Sequence, residues 1–330
     1  MSTTLNNNDV FLSVKDLFVE YSSNDIPVYA VNGVSFDLKR GKTLGLVGES
    51  GAGKTTIAKA ILRVLPDIAT RKCEGSIVLD GQDLLQIPEK EMLKIRGDKI
   101  SMIFQDPMTA LNPTQTIGEQ IVEAITTHNK ISTKEAVGRA VEMLRMVGIT
   151  EERFNNYPFE LSGGMKQRIV ISIALACNPI LLLADEPTTA LDVTIQAQIL
   201  DMIVKLRDEL GTSMIMITHD LGVIAESCDD VAVVYAGEIV ESGSKFDIFD
   251  HPTHPYTRGL FGSLPSMAGA DGKLHPIEGL PPDPSNLPKG CSFHPRCVHA
   301  TDACREGSIG MTEVSPGHFC RCIHATKEGM

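Results

Sequence analysis

Short apolar runs separated by glycine and polar residues open the chain. Residues 11–14, 31–38 and 43–47 cluster or alternate apolar side chains over the lengths that strands use. They predict an early, largely antiparallel piece of sheet. After Lys54 the spacing changes, with Ile57, Ile61, Leu62 and Leu65 on one helical face until Pro66 stops the run. A strand, a glycine loop and a helix therefore follow one another. Between about 107 and 158, Ile117, Ile121 and Ile125, then Val137, Val141 and Leu144, recur at helical spacing with no strand run among them. This segment reads as a helical insertion. From 161 to about 210 come a helix, a buried strand at 180–184 and another helix, and 213–218 and 231–235 read as further strands. Strands alternating with helices predict a parallel sheet, so the fold class is α/β.

Beyond about residue 245 the pattern dissolves. Ten of the 18 prolines and five of the eight cysteines lie there, which reads as a separate, loop-rich appendage. Cys73, Cys177 and Cys228 are scattered upstream and read as small buried hydrophobes. At 330 residues and 42% hydrophobic the composition is that of a globular chain and excludes disordered and fibrous classes. Thirty Lys and Arg against 42 Asp and Glu leave a net charge of −12, which argues against a broad nucleic-acid surface but leaves room for a local phosphate site. The longest apolar run, 169–177, is about half of the roughly 18 residues that span a bilayer. Residues 1–10 are polar and Asn-rich, without the basic start and apolar core of a secretory signal, so a cytosolic location is expected.

Gly48-Glu49-Ser50-Gly51-Ala52-Gly53-Lys54-Thr55 fits G-x-x-x-x-G-K-[ST] between an apolar run and a helix. Glycines at Gly48, Gly51 and Gly53 let successive backbone N–H groups converge on phosphate oxygens, and the helix start adds partial positive charge. Lys54 is expected on the β- and γ-phosphates and the Thr55 hydroxyl on Mg2+, with Ser50 and Thr56 completing the loop. The apolar run at 180–184 ends in Asp185-Glu186, which presents acids at the carboxyl end of a parallel strand beside the phosphates. Asp185 is expected to hold Mg2+, and Glu186 to orient and deprotonate a water.

Leu161-Ser162-Gly163-Gly164-Met165-Lys166-Gln167-Arg168 resembles the signature motif of ABC ATPases. Other features stand in that family's order over roughly 11–245. Gln105 looks like the Q-loop, with Mg2+ contact and coupling as its implied roles; Ala190-Leu191-Asp192 looks like the D-loop; and His219 looks like the switch histidine on the γ-phosphate. Tyr21 stands where the family stacks an aromatic ring on adenine, with Tyr29 as a rival. The resemblance implies that Ser162, Gly163 and Gly164 close on the nucleotide of a second ATPase domain, head to tail, and not on the chain's own loop. It also implies a P-loop NTPase core at 1–106 and 159–245 with an antiparallel β subdomain, a helical subdomain at 107–158 and a C-terminal extension at 246–330.

The wording of 104–113, 161–168, 185–198 and 254–257 resembles, more narrowly, the oligopeptide and dipeptide permease ATP-binding subunits of the D type. That implies an ATPase powering peptide import, paired with a different, F-type ATP-binding subunit on the cytoplasmic side of the membrane. Two transmembrane permease subunits would dock near Gln105 and the helical insertion, an external solute-binding protein would deliver cargo, and no nucleic acid would be involved. Relatives also carry nickel or oligosaccharides. Cys291, Cys297, Cys304 and Cys322, with five, six and 17 residues between them, are unlike most zinc spacings, and in this family they resemble a 4Fe–4S site. Cys320 is a fifth thiol and an alternative fourth ligand; Cys322 is preferred because it keeps its spacing from His318.

Overall fold

The structure is a computed structural model in which residues 10–189, 191–262 and 277–325 are described. Ala190 of the expected D-loop lies outside them. In chain order the elements are β1 (Val10–Ser23), β2 (Ile26–Lys39), β3 (Thr43–Val47), α1 (Lys54–Leu62), β4 (Thr70–Leu79), β5 (Gln82–Asp83), α2 (Glu89–Ile95), β6 (Ile100–Ile103) and α3 (Pro107–Ala110). There follow α4 (Ile117–His128), α5 (Thr133–Met146), α6 (Gly163–Leu175), β7 (Leu181–Asp185), α7 (Val193–Leu210), β8 (Ser213–Ile217), α8 (Leu221–Ser227), β9 (Asp230–Tyr235) and β10 (Glu238–Ser244). Helices α9 (Lys245–Asp250) and α10 (Pro255–Gly262) and strands β11 (Thr312–Ser315) and β12 (His318–Cys320) complete the list. Two compact units divide the chain: Lys39–Lys42 with Gln86–Ile217, and Val10–Leu38, Thr43–Leu85 and Thr218 onward.

The first unit is built on the parallel strands β6, β7 and β8, whose residues are almost all fully buried apolar side chains. Strands covered on both faces read as continuous apolar runs, which is why the period-2 signal is missing there. Residues 107–158 contribute α3, α4 and α5 and no strand. Thr116 and Glu119 cap α4 reciprocally, and the Ser132 side chain caps α5, so both helices start where side-chain oxygens meet their free N–H groups.

The second unit carries the four-stranded sheet β2-β1-β4-β5, with β1 and β4 antiparallel. Asn24 and Asp25, both at positive φ (50° and 64°), turn the chain from β1 into β2. Besides its neighbour β2, β1 pairs antiparallel with β4, a strand absent from the sequence expectation, while β3 pairs in parallel with β9. Helix α1 also stops earlier than expected. Arg63 enters the left-handed region at φ 53° and its N–H turns back to Lys59 and Ala60, leaving Leu65 outside the helix.

The tail is stitched into this unit, which corrects the expectation of a separate appendage. Strand β12 pairs antiparallel with β10, setting Glu241 opposite Cys320, and β11 pairs with β12. Glu241 is fully buried and accepts hydrogen bonds from the N–H groups of Thr253 (2.6 Å) and His254 (3.0 Å) and from His318 Nε2 (2.8 Å). A buried carboxylate is tolerated only with such partners, so this one ties β10, β12 and the approach to α10 together. Burial pushes His254 down to about 4, keeping it neutral, and its Nδ1 accepts the Tyr256 N–H at 3.1 Å. Among the scattered cysteines only Cys228 is buried; Cys73, within β4, and Cys177, just past α6, are partly exposed. No helix among the described residues is long and apolar enough to cross a membrane.

Candidate active site

In the second unit the loop at 48–53 joins β3 to α1, as its motif requires. Gly48 and Gly53 are obligatory for close approach: a Cβ would fall 2.1 Å from the Val234 carbonyl oxygen at the first and 2.3 Å from that of Ala30 at the second. Both also sit at positive φ (154° and 102°). Lys54, the first residue of α1, is buried, and its ammonium donates to the carbonyls of Gly48 (2.8 Å) and Glu49 (2.9 Å). The loop therefore folds its own cation over its mouth. Thr55 and Thr56 follow in the first turn of α1, where backbone N–H groups have no helical partners.

Tyr21, near the end of β1, is half-buried, and its phenol is shifted upward by burial while hydrogen-bonding the Thr56 side chain. Tyr29 borders the phosphate loop from another side. Its N–H donates to the Pro284 carbonyl at 2.9 Å, and the residue lines a cavity shared by Glu49, Ser50, Tyr235 and Pro282. Tyr21 thus bonds the first turn of the helix that starts at Lys54, while Tyr29 lines a cavity with the loop before it. His219 is exposed, just ahead of Asp220, whose carboxylate caps α8.

In the first unit Asp185 closes the buried strand β7 and is itself 2% exposed. The next residue, Glu186, takes φ 46°, a left-handed conformation that costs a non-glycine residue of order 1 kcal/mol or more. Its N–H donates to the Ile217 carbonyl at 2.8 Å, so β7 and β8 hold it there. Glu186 Oε2 accepts from Gln105 Nε2 (2.8 Å) and from Thr189 Oγ1 (2.9 Å). The structure brings Gln105 and Glu186 together across 81 residues of sequence, and it adds Thr189, which sequence reasoning missed.

Ser162 is the N-cap of α6, its side chain accepting the Met165 N–H, with Gly163 and Gly164 in the first turn. A Cβ on Gly164 would come 2.9 Å from Ile195 Cγ2, so that glycine serves packing against α7. Gln167, buried on α6, donates to the Pro187 carbonyl at 2.6 Å and so links the signature helix to the segment after Glu186. Asp192 caps α7 through the Ile195 N–H at 3.0 Å.

The tail gathers most of its cysteines around one pocket. Cys291, Cys297, Cys304 and Cys322 line one pocket with His324, whereas Cys320 is fully buried in β12 and does not. Gly290, at φ 75°, lets the Cys291 N–H reach the Cys304 carbonyl at 2.9 Å; a Cβ there would lie 2.3 Å from that oxygen. Burial, with the charges of the other three thiols adding to it, pushes Cys291 up to about 11, and burial also raises Cys297 and Cys322. Such thiols stay protonated unless a soft cation compensates their charge. Among the described residues no group of three or more Cys, His, Asp or Glu is set to hold a single metal ion.

A sequence profile described as ABC transporter matches residues 31–189, and one described as Oligopeptide/dipeptide transporter, C-terminal region, matches 240–304. The dipeptide transport ATP-binding protein DppD of Bacillus subtilis is 49% identical over 94% of this chain and 93% of its own length. The oligopeptide transport ATP-binding protein OppD of Escherichia coli is 46% identical over 97% and 95%. An ATP-binding cassette dimer solved in a post-hydrolysis state with ADP and Pi superposes with a TM-score of 0.64 at 30% identity, covering 71% of this chain and 98% of that one. The fold is accordingly that of the ABC ATPases, and the chain belongs to the ATP-binding proteins of the oligopeptide and dipeptide ABC transporters.

Proposed function

We propose that this chain is the ATP-hydrolysing subunit of an importer that takes up di- and oligopeptides. The observation that carries the reading is the carboxylate of Glu186, held in strained backbone at the end of β7 by Gln105 and Thr189. That geometry suits a group that orients water and accepts its proton as the water oxygen bonds to the γ-phosphorus and the bond to the bridging oxygen breaks, giving ADP and phosphate. Lys54 and the loop N–H groups at Gly48, Ser50, Gly51, Gly53 and Thr56 bind phosphate oxygens, and Tyr21 stacks on adenine. Thr55, Asp185 and Gln105 would hold Mg2+, which would supply positive charge to offset that of the phosphates. His219 stabilises the γ-phosphate from the same chain.

Ser162, Gly163 and Gly164, with Asp192 of the D-loop, serve the nucleotide of a second, F-type subunit, so the working unit is a heterodimer. Two permease subunits anchor it on the cytoplasmic side of the membrane and receive peptides from a solute-binding protein. Phe104 (41% exposed) and Phe159 (73%), the latter stacked on Tyr157 at 5.7 Å, give the Q-loop and helical subdomain region an apolar surface suited to docking. The proposed division is a nucleotide-binding core at 1–106 and 159–245, the helical subdomain at 107–158 and the extension at 246–330.

The thiol pocket is proposed as the place of a 4Fe–4S cluster held by Cys291, Cys297, Cys304 and Cys322. What supports it is one pocket sharing four thiols of soft-ligand chemistry. Each thiolate of such a cluster binds a different iron, so the four sulfurs need not converge as ligands of one ion do.

Lys54→Ala tests the motor reading. Without the ammonium, ATP affinity should fall about 10- to 100-fold and ATP-dependent peptide uptake should vanish. Unaltered binding would remove the loop from the account. Thr189→Val tests the setting of Glu186. One of its two donors is lost, and turnover should fall about three- to tenfold with ATP affinity unchanged, as read by steady-state kinetics beside equilibrium binding.

A further inference from the structure

Glu49 is the second residue of the phosphate loop, yet both its backbone and its side chain are occupied from the tail. Its N–H donates to Tyr256 Oη at 2.9 Å, and the Tyr256 hydroxyl, buried on α10, is shifted upward by that burial. Its carboxylate takes a two-pronged contact from Arg296, Nη1 to Oε2 at 2.8 Å and Nη2 to Oε1 at 3.0 Å, across 247 residues of sequence. Arg296 itself is closely seated. Its side chain is 5% exposed, Nε donates to the Glu278 carbonyl at 3.1 Å, and the guanidinium lies 5.8 Å from the centre of the Tyr235 ring. Four constraints on one guanidinium describe a part held in place, beyond what a surface ion pair needs.

The loop needs such a part for two reasons. Lys54 bonds the carbonyls of Gly48 and Glu49, so the placement of Glu49 sets where the ammonium rests. Glu49 also brings a carboxylate to a loop that must receive a polyphosphate, and a bare carboxylate there repels the ligand. Arg296 cancels that charge through its contacts to both carboxylate oxygens. We propose that Arg296 is a positioning residue for ATP binding, reaching from the tail to fix and neutralise Glu49, with Tyr256 as its backbone counterpart. The inference rests on the nucleotide reading above.

The test is ATP affinity and steady-state kinetics of the assembled transporter carrying Arg296→Ala, Arg296→Lys and the pair Arg296→Ala with Glu49→Gln, with thermal unfolding measured alongside. Arg296→Ala should weaken ATP binding and raise KM about tenfold, with kcat at saturating ATP nearly unchanged, because the carboxylate left beside the phosphates is unpaired. Arg296→Lys keeps the charge without the fork and should fall between the two, and removing the Glu49 charge in the double variant should recover affinity over Arg296→Ala alone. Wild-type affinity in Arg296→Ala, or in Arg296→Lys should the alanine variant not fold, overturns the proposal. So does a loss of thermal stability with no change in affinity. If the unmodified transporter binds no ATP, the nucleotide reading itself has failed; if only Lys54→Ala loses binding, that reading stands and the role of Arg296 falls.

Discussion

Glu186→Gln is expected to leave ATP binding intact and to cut hydrolysis by about 10²- to 10⁴-fold, the range that a positioned general base contributes. Glutamine is nearly the same size and can still accept from Gln105 Nε2 and Thr189 Oγ1 through its amide oxygen, so the strained turn at φ 46° keeps its partners. What it cannot do is take the proton of the attacking water. The split between unchanged affinity and lost turnover is the signature, measured as nucleotide binding at equilibrium beside phosphate release. Equal losses in both would mean that Glu186 shapes the site without serving the chemistry.

The second large effect concerns the signature. Ser162→Arg is expected to abolish hydrolysis in the assembled heterodimer, by about 10²- to 10³-fold, the cost of losing donors aimed at transition-state charge. The purified single chain should nonetheless bind ATP as the unaltered chain does. The reason is the division of labour: Ser162 caps α6 and presents Gly163 and Gly164 to the nucleotide of the sister subunit, while the chain's own nucleotide belongs to Lys54. Loss of the cap costs α6 about 1 kcal/mol, which a melting curve separates from the catalytic loss. Reduced ATP affinity in the isolated variant would show the signature acting within its own chain.

The phosphate loop and the strand ending in Asp185-Glu186 were legible in the sequence because phosphate chemistry tolerates few residue types at fixed spacings. The left-handed glycines and the buried run of β7 follow directly from that demand. What periodicity could not reveal was where a run ends for conformational reasons: nothing in the spacing of Ile57, Ile61 and Leu65 announces the left-handed turn at Arg63. Strand β4 was missed because its outer half, 70–76, is polar and exposed, so it presents little alternation. Thr189 read as one more residue of a loop, although a hydroxyl three positions after the acid was the available signal. The fork between Arg296 and Glu49 left no local trace, since a pairing over 247 residues depends on the tail folding back through β12 and α10. The same fold-back separates Cys322 from Cys320, one lining the thiol pocket and the other packed in the strand.

Coupling of chemistry to cargo is decided by one experiment on the whole transporter in sealed vesicles: accumulation of a labelled tripeptide with Mg-ATP on the side of this subunit, compared between the unaltered chain and Glu186→Gln. Accumulation that needs ATP and vanishes in the variant, with nucleotide still bound, is the result expected. Undiminished accumulation by the variant, or uptake indifferent to ATP, contradicts the account.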